Sequence, residues 1–345
     1  MARTIAVTGA AGFIGGNFVR YWRSVHPEDG VVAIDALTHT GNVRNLDEVR
    51  AEIVFVQRDI ADEEEMTRVL RAHAVDAVVN FAAETPNSLA VLEPARFFRT
   101  NVLGTQALLE ACRRAGVGRF HQVSTCEVYG GLAQDSADSF TESSPYLPRT
   151  PYSASKAGAD HAVRCYQHAF GLAATISNCA GNHGPYQFPE KVLPLFVTNA
   201  LAGLPLPMYA SSGGKREWIS VTDHCRAIDL ILARGTAGET YHVGSGAEAT
   251  IEELADLVLD ELGLPGTLKT PVSDHPGHDP RHLLDSTMIR RTLGWAPEVA
   301  FERGVRETIR WYRGNRAWWE PLLAHRRIAE EPWRRRDRVP ISRRR

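Results

Sequence analysis

An α/β fold, a doubly wound parallel sheet carrying a smaller C-terminal lobe, is what three observations on this 345-residue sequence predict. Short apolar, β-branched runs alternate with longer amphipathic stretches through the first half. A glycine-rich turn follows the first run directly. Past Asn178 the pattern gives way to proline- and glycine-rich segments. Near-continuous apolar strands separated by helices mean a parallel sheet covered on both faces.

The runs at 5–8, 31–35, 53–56, 77–81, 120–124 and 174–177 read as its strands, because each is a few residues long, rich in Val and Ile, and bounded by turn residues. Helices are expected near 13–25, 62–72, 93–115 and 152–170. In the second half they are expected near 190–202, 223–233, 250–262 and 302–313, between Gly184-Pro185, Phe188-Pro189 and Leu204-Pro205-Leu206-Pro207. The expected division is 1–178 for the sheet domain, with part of 215–245 returning to it, 179–323 for the substrate-binding lobe, and 324–345 for a basic tail.

Composition narrows the function classes. At 43% hydrophobic and 8% aromatic the chain can bury a substantial core. No apolar run approaches the roughly 20 residues that span a bilayer, and no secretory leader is visible, so a cytoplasmic protein without a membrane partner is expected. The five cysteines are odd in number and without a Cys-x-x-Cys pair, which suggests neither a disulfide framework nor a metal site. Net charge is −2, yet the tail holds nine arginines against three carboxylates, leaving 30 basic against 38 acidic residues elsewhere. An acidic body argues against nucleic acid as a partner.

Thr8-Gly9-Ala10-Ala11-Gly12-Phe13-Ile14-Gly15 closes the first strand and opens the first helix, the context of a dinucleotide fingerprint. Glycines there permit a tight turn and close approach of a pyrophosphate to the helix N-terminus. This makes the sheet domain Rossmann-type. Asp35 ends the second strand, where a carboxylate accepts hydrogen bonds from ribose hydroxyls and repels a 2′-phosphate, so NAD is the expected cofactor. Asp59 and Ile60 would flank the adenine, and Phe81, Ala82 and Ala83 would run beneath the pyrophosphate and nicotinamide ribose.

Tyr152 and Lys156 are spaced to share one helix face. Lys156 is expected to lower the phenol's pKa, so that Tyr152 takes a hydroxyl proton while hydride leaves the same carbon. The strand ending Val123-Ser124-Thr125 would place a hydroxyl on the same oxygen.

On these residues the chain resembles the extended short-chain dehydrogenases, and within them the dTDP-glucose 4,6-dehydratases. The likeness runs from Arg3 to about Leu323. It includes Thr100-Asn101-Val102-Leu103-Gly104-Thr105, Gly184-Pro185-Tyr186-Gln187-Phe188-Pro189-Glu190-Lys191, Arg216-Glu217-Trp218-Ile219, Gly277-His278-Asp279 and Leu293-Gly294-Trp295. The resemblance implies oxidation at C4 of a dTDP- or UDP-linked hexose, loss of water across C5 and C6 with Glu127 as base, and return of hydride to C6. It implies Thr100 and Ser124 beside the cofactor. Glu84, Asn182, Glu190, Lys191, Tyr209, Arg216 and Arg281 are implied at the substrate, the two arginines on its diphosphate. It also implies a homodimer through the helices near 93–115 and 152–170.

The chain departs from that pattern at several places. Cys126 stands where the family has an aspartic acid that protonates the leaving hydroxyl, and Thr85-Pro86-Asn87-Ser88-Leu89 replaces a His-Val-Asp-Arg-Ser type segment. Ala180-Gly181-Asn182-His183 and Gly246-Ala247-Glu248 are rewritten as well. The departures leave other readings open: a 5,6-dehydratase releasing an alkene, a 4-epimerase, a uronate decarboxylase, or a catalytically silent NAD-binding protein.

Overall fold

The computed structural model describes residues 2–209, 213–272 and 279–324. The arginine-rich tail beyond Ala324, and Gly277 and His278, lie outside the described residues. Strands β1 (Thr4–Thr8), β2 (Gly30–Asp35), β3 (Val54–Gln57), β4 (Ala77–Asn80), β5 (Arg119–Thr125) and β6 (Ala174–Cys179) form a parallel sheet in the order 3-2-1-4-5-6. That order reverses between β1 and β4, and ligands in such sheets sit at the C-terminal strand ends beside the reversal.

Three further strands, β7 (Gly181–His183), β8 (Leu206–Tyr209) and β9 (Lys215–Ser220), precede β10 (Thr240–Val243), which completes the large sheet as its seventh strand by pairing with β6. β9 carries a second sheet with β7, β11 (Glu248–Thr250) and β13 (Arg281–His282), while β8 pairs with β12 (Lys269–Val272).

Two layers of helix cover the large sheet. Helix α1 (Phe13–Val25) buries Phe18, Val19 and Trp22 against Ile5, Val7 and Val31 on one face. On the other face α2 (Glu63–Ala72) brings Met66 and Leu70 against Ala6, Val32 and Val78. Asp62 caps α2 by accepting from the Glu65 amide. The expected helix near 93–115 is interrupted. After α3 (Asn87–Leu92), α4 (Pro94–Phe97) passes into a π-helical turn at Phe98–Gly104 before α5 (Thr105–Ala115).

Helix α6 (Pro151–Phe170) opens with a capping box, in which Thr150 accepts from the Ser153 amide and the Ser153 hydroxyl accepts from the Thr150 amide. It ends at Gly171 in the left-handed conformation. In the lobe, α7 (Val192–Leu201) packs on α9 (Ile251–Leu262) and α11 (Phe301–Gly314), around Phe196, Leu254, Val305 and Tyr312. Between these helices in sequence, α8 (Val221–Arg234) lies against α1 and joins the core of the large sheet through Val221, Cys225 and Ile228.

Candidate active site

The C-terminal ends of β1, β2, β4, β5 and β6 open into a cleft that divides into two joined cavities, of about 430 Å³ and about 380 Å³. Thr125, Glu127, Cys179, Ala180 and Lys191 line both.

The first cavity is walled by Gly9, Gly12, Phe13, Ile14, Gly15, Asp35, Asp59, Ile60, Phe81, Ala82, Ala83, Thr100, Ser124, Tyr152 and Lys156. Every residue expected at a cofactor is therefore on one surface. Gly9 has φ of +64°, and a Cβ there would stand 2.7 Å from the Ala82 nitrogen. At Gly15 a Cβ would stand 2.2 Å from the Gly9 carbonyl oxygen. Gly12 caps α1 without any side chain, which leaves the helix N-terminus open toward the cavity. Asp35 is buried and accepts from the amides of Ala11 at 2.9 Å and Leu37 at 2.7 Å. Burial pushes its carboxyl up while those two amides pull it back down. A dinucleotide fits this cradle.

At the junction of the two cavities stand the expected catalytic groups. Thr125 ends β5, and its hydroxyl accepts from the Glu127 amide at 3.2 Å and lies near enough to the Tyr152 phenol to draw it down. Lys156 lies one turn beyond Tyr152, and its ammonium donates to the Val123 carbonyl at 2.6 Å. Beneath it, one turn farther along α6, the buried Asp160 accepts from Ser124 at 2.7 Å and Tyr146 at 2.9 Å.

The electrostatics correct one expectation. Burial, followed by the Glu127 charge, holds the Tyr152 phenol well above its usual range, and Lys156 is itself lowered by burial. The lysine's Coulomb partner among the carboxylates is Asp160, so from protein groups alone the phenol keeps its proton.

The second cavity holds Cys126, Glu190, Tyr209 and Arg216, together with Asn87, Trp218, Asp279 and His282, which sequence reasoning did not single out as site residues. Burial and then Glu127 push the Cys126 thiol well above its usual range. Arg216 and Lys191, both half-buried, are lowered by burial; the Glu127 charge draws Arg216 back up, and Glu190 followed by Glu127 does the same for Lys191. Glu190 is tied to His39, 2.8 Å away, and Lys191 donates to the Thr85 carbonyl at 3.3 Å.

Three expected substrate residues are used otherwise. Arg281 does not line the cavity. Its guanidinium makes a fork on Glu248, at 2.6 and 2.7 Å, and gives its remaining N–H groups to the carbonyls of Ser136 and Asp138. Glu84 faces the first cavity and pairs with Arg96 at 2.7 Å. Asn182 also lines the first cavity, with its amide donating to the Ala180 carbonyl and its oxygen facing His224. No local signal announces the pairings of Arg281 with Glu248, Glu84 with Arg96 or Asn182 with His224, because those partners lie 33, 12 and 42 positions away.

Fold and site together define a Rossmann-type protein with the Thr, Tyr and Lys centre of the extended short-chain dehydrogenases. Residues 6–308 match the GDP-mannose 4,6 dehydratase family. The chain belongs to that family. It is 46% identical over 324 residues to a dTDP-glucose 4,6-dehydratase of Streptomyces niveus, spanning 92% of this chain and 95% of the relative. The crystal structure of DesIV, a dTDP-glucose 4,6-dehydratase of Streptomyces venezuelae with NAD bound, superposes with a TM-score of 0.89 at 48% identity, covering 92% and 99% of the two chains. That of the dTDP-glucose 4,6-dehydratase of Bacillus anthracis str. Ames in complex with NAD gives 0.87 at 40% identity, covering 93% and 100%.

Proposed function

We propose that this chain is an NAD-dependent nucleotide-sugar dehydratase that takes dTDP-glucose to a 4-keto-6-deoxy sugar. The observation that carries the reading is the shared position of Thr125 and Glu127, on the boundary between the dinucleotide-shaped cavity and the second cavity. One redox centre and one carboxylate thus meet at a single substrate. The Asp35 carboxylate at the end of β2 favours NAD over NADP, and relatives of the same fold bind NAD.

Gly9, Gly12, Gly15 and Asp35 would hold NAD, which when bound would supply a hydride acceptor for C4 of the hexose and a hydride donor for C6. Protein groups alone keep the Tyr152 phenol protonated, so the cationic ring of bound NAD would have to lower it before Tyr152 takes the C4 hydroxyl proton, and the Thr125 hydroxyl would bond the same oxygen. The Asp160 charge offsets part of the lowering that burial imposes on Lys156, which favours an ammonium there. The new C4 carbonyl acidifies C5, whose proton Glu127 removes. The C6 hydroxyl then leaves as water. Burial and the Glu127 charge hold the Cys126 thiol protonated and a thiol donates weakly, so Glu127 delivers to the leaving oxygen the proton it took from C5. As hydride returns to C6, Glu127, reloaded from solvent, protonates C5, and the proton that Tyr152 took from the C4 hydroxyl passes to solvent, so the protons balance. Arg216 and Lys191 line the second cavity and face the anionic end of the substrate.

We also assign a homodimer built on α5 and α6 and the turn before them, where Phe98 is 43%, Leu103 61% and Phe170 55% exposed. No helix among the described residues is long and apolar enough to cross a membrane. We place the protein in the cytoplasm, a reading that five unpaired cysteines support.

The test is product analysis by NMR and mass spectrometry from dTDP-glucose, UDP-glucose and UDP-N-acetylglucosamine in heavy water. A 4-keto-6-deoxy product with deuterium at C5 is expected. Tyr152→Phe should lose turnover while still binding NAD in equilibrium dialysis. An epimer, a pentose or an alkene product overturns the reading.

A further inference from the structure

We infer that Asn87 is the positioning residue of Glu127, an inference that rests on the dehydratase reading above. Asn87 is the first residue of α3, inside the segment where this chain departs most from the pattern it otherwise follows. Its amide Nδ2 donates to Glu127 Oε2 at 2.9 Å, and its Oδ1 accepts from the Thr150 hydroxyl at 3.1 Å. The Thr150 hydroxyl in turn accepts from the Ser153 amide at 3.1 Å and lies 3.0 Å from the Ser153 hydroxyl, whose own proton can go to the Thr150 carbonyl at 3.2 Å, which leaves the Thr150 proton for Asn87.

This chain of bonds sets the amide's orientation. Turned over, it would press its carbonyl oxygen against a carboxylate oxygen. The arrangement has two consequences. One oxygen of Glu127 is held, and no hydrogen bond is made to Oε1 among the described residues, so that oxygen is available to the C5 proton. Thr150 is also the N-cap of the helix that carries Tyr152 and Lys156. The groups acting at C4 and at C5 are therefore set in one frame through a single asparagine.

The neighbour of Glu127 explains why such a clamp is needed. A thiol is a weak hydrogen-bond donor, and Cys126 supplies no firm anchor for the carboxylate beside it. Asn87 does so from across the cavity, 40 positions away in the sequence.

The experiment compares wild type, Asn87→Ala and Asn87→Asp with NAD bound, in two readouts. In ¹³C NMR at one fixed pH, the Glu127 carboxyl resonance, assigned with Glu127→Gln, should move in both variants because the donor on Oε2 is gone. A resonance that coincides with that of wild type overturns the inference. In single turnover with dTDP-glucose in heavy water, reduction of the dinucleotide should stay within about twofold of wild type while deuterium uptake at C5 slows about 10²-fold. An equal fall in both steps, or no fall at C5, overturns it. If Asn87→Ala does not fold, Asn87→Asp, of the same shape, carries both readouts. Absence of turnover by wild type on every hexose tested would sink the dehydratase reading, and the Glu127 carboxyl resonance alone would then decide on Asn87.

Discussion

At the scale of single residues, the replacement of a carboxylic acid by Cys126 decides how the reaction is divided. A thiol held well above its usual pKa by burial and by Glu127 stays protonated at neutral pH and gives its proton up poorly. Removing it should therefore matter little. Cys126→Ala is expected to keep product formation within about threefold of wild type, whereas Cys126→Asp, which supplies a true acid, should speed water loss by about 10²-fold. Single-turnover appearance of the 4-keto-6-deoxy sugar checks both. A large loss in Cys126→Ala would make the thiol the acid after all.

Elements act here by offering backbone rather than side chains. The turn from β1 into α1 has no room for a methyl group at Gly15, since the Gly9 carbonyl stands 2.2 Å from the Cβ position. Gly15→Ala is expected to weaken NAD binding at least about tenfold, close to 1.4 kcal/mol, measured by calorimetry on the folded protein. The π-helical turn at Phe98–Gly104 does comparable work. It brings Thr100 to the cavity wall, and a Cβ at Gly104 would stand 3.1 Å from the Ile60 side chain, so the turn passes close to Ile60; wide turns of this kind gather at functional sites. At the start of α6, Thr150 both caps the helix and orients Asn87. Thr150→Ala should cost about 1 kcal/mol in denaturant unfolding.

For the whole molecule, four buried histidines set the acid limit of stability. Burial lowers His121 and His224 to about 3, and His183 and His242 to about 4. A histidine depressed in the folded state contributes stability that is fully present above its unfolded value near 6.5 and is lost as pH falls through the folded value. Glu217 runs the other way. Burial raises it to about 7, so its contribution is present below about 4.5 and lost as pH rises through 7. Each histidine steepens the fall in unfolding free energy below pH 6.5 by about 1.4 kcal/mol per pH unit. His224→Gln should reduce that slope between pH 6.5 and 5 by about one such unit. Urea melts across that range test it, and an unchanged slope would show that His224 titrates alike in both states.

What the sequence alone determined is everything that depends on neighbours along the chain. Alternating apolar runs and amphipathic stretches specify parallel strands and covering helices. The spacing of Gly9, Gly12 and Gly15 specifies a turn that only small residues can make, and four positions between Tyr152 and Lys156 put them on one helix face. Each follows from the period of a helix or strand, or from φ at a glycine, and is settled within a few residues. The partners of polar side chains were decided only in the tertiary structure. Arg281 reads as a phosphate ligand until β13 lies beside β9 and brings it to Glu248, 33 positions away. Tyr152 reads as an acidified phenol until the packing of α6 buries it beside Glu127. Asn87 reads as a turn residue until α3 sets it between Thr150 and Glu127. The strength and direction of an electrostatic interaction depend on distance in space and on exclusion of water, and neither quantity exists until distant segments have packed together.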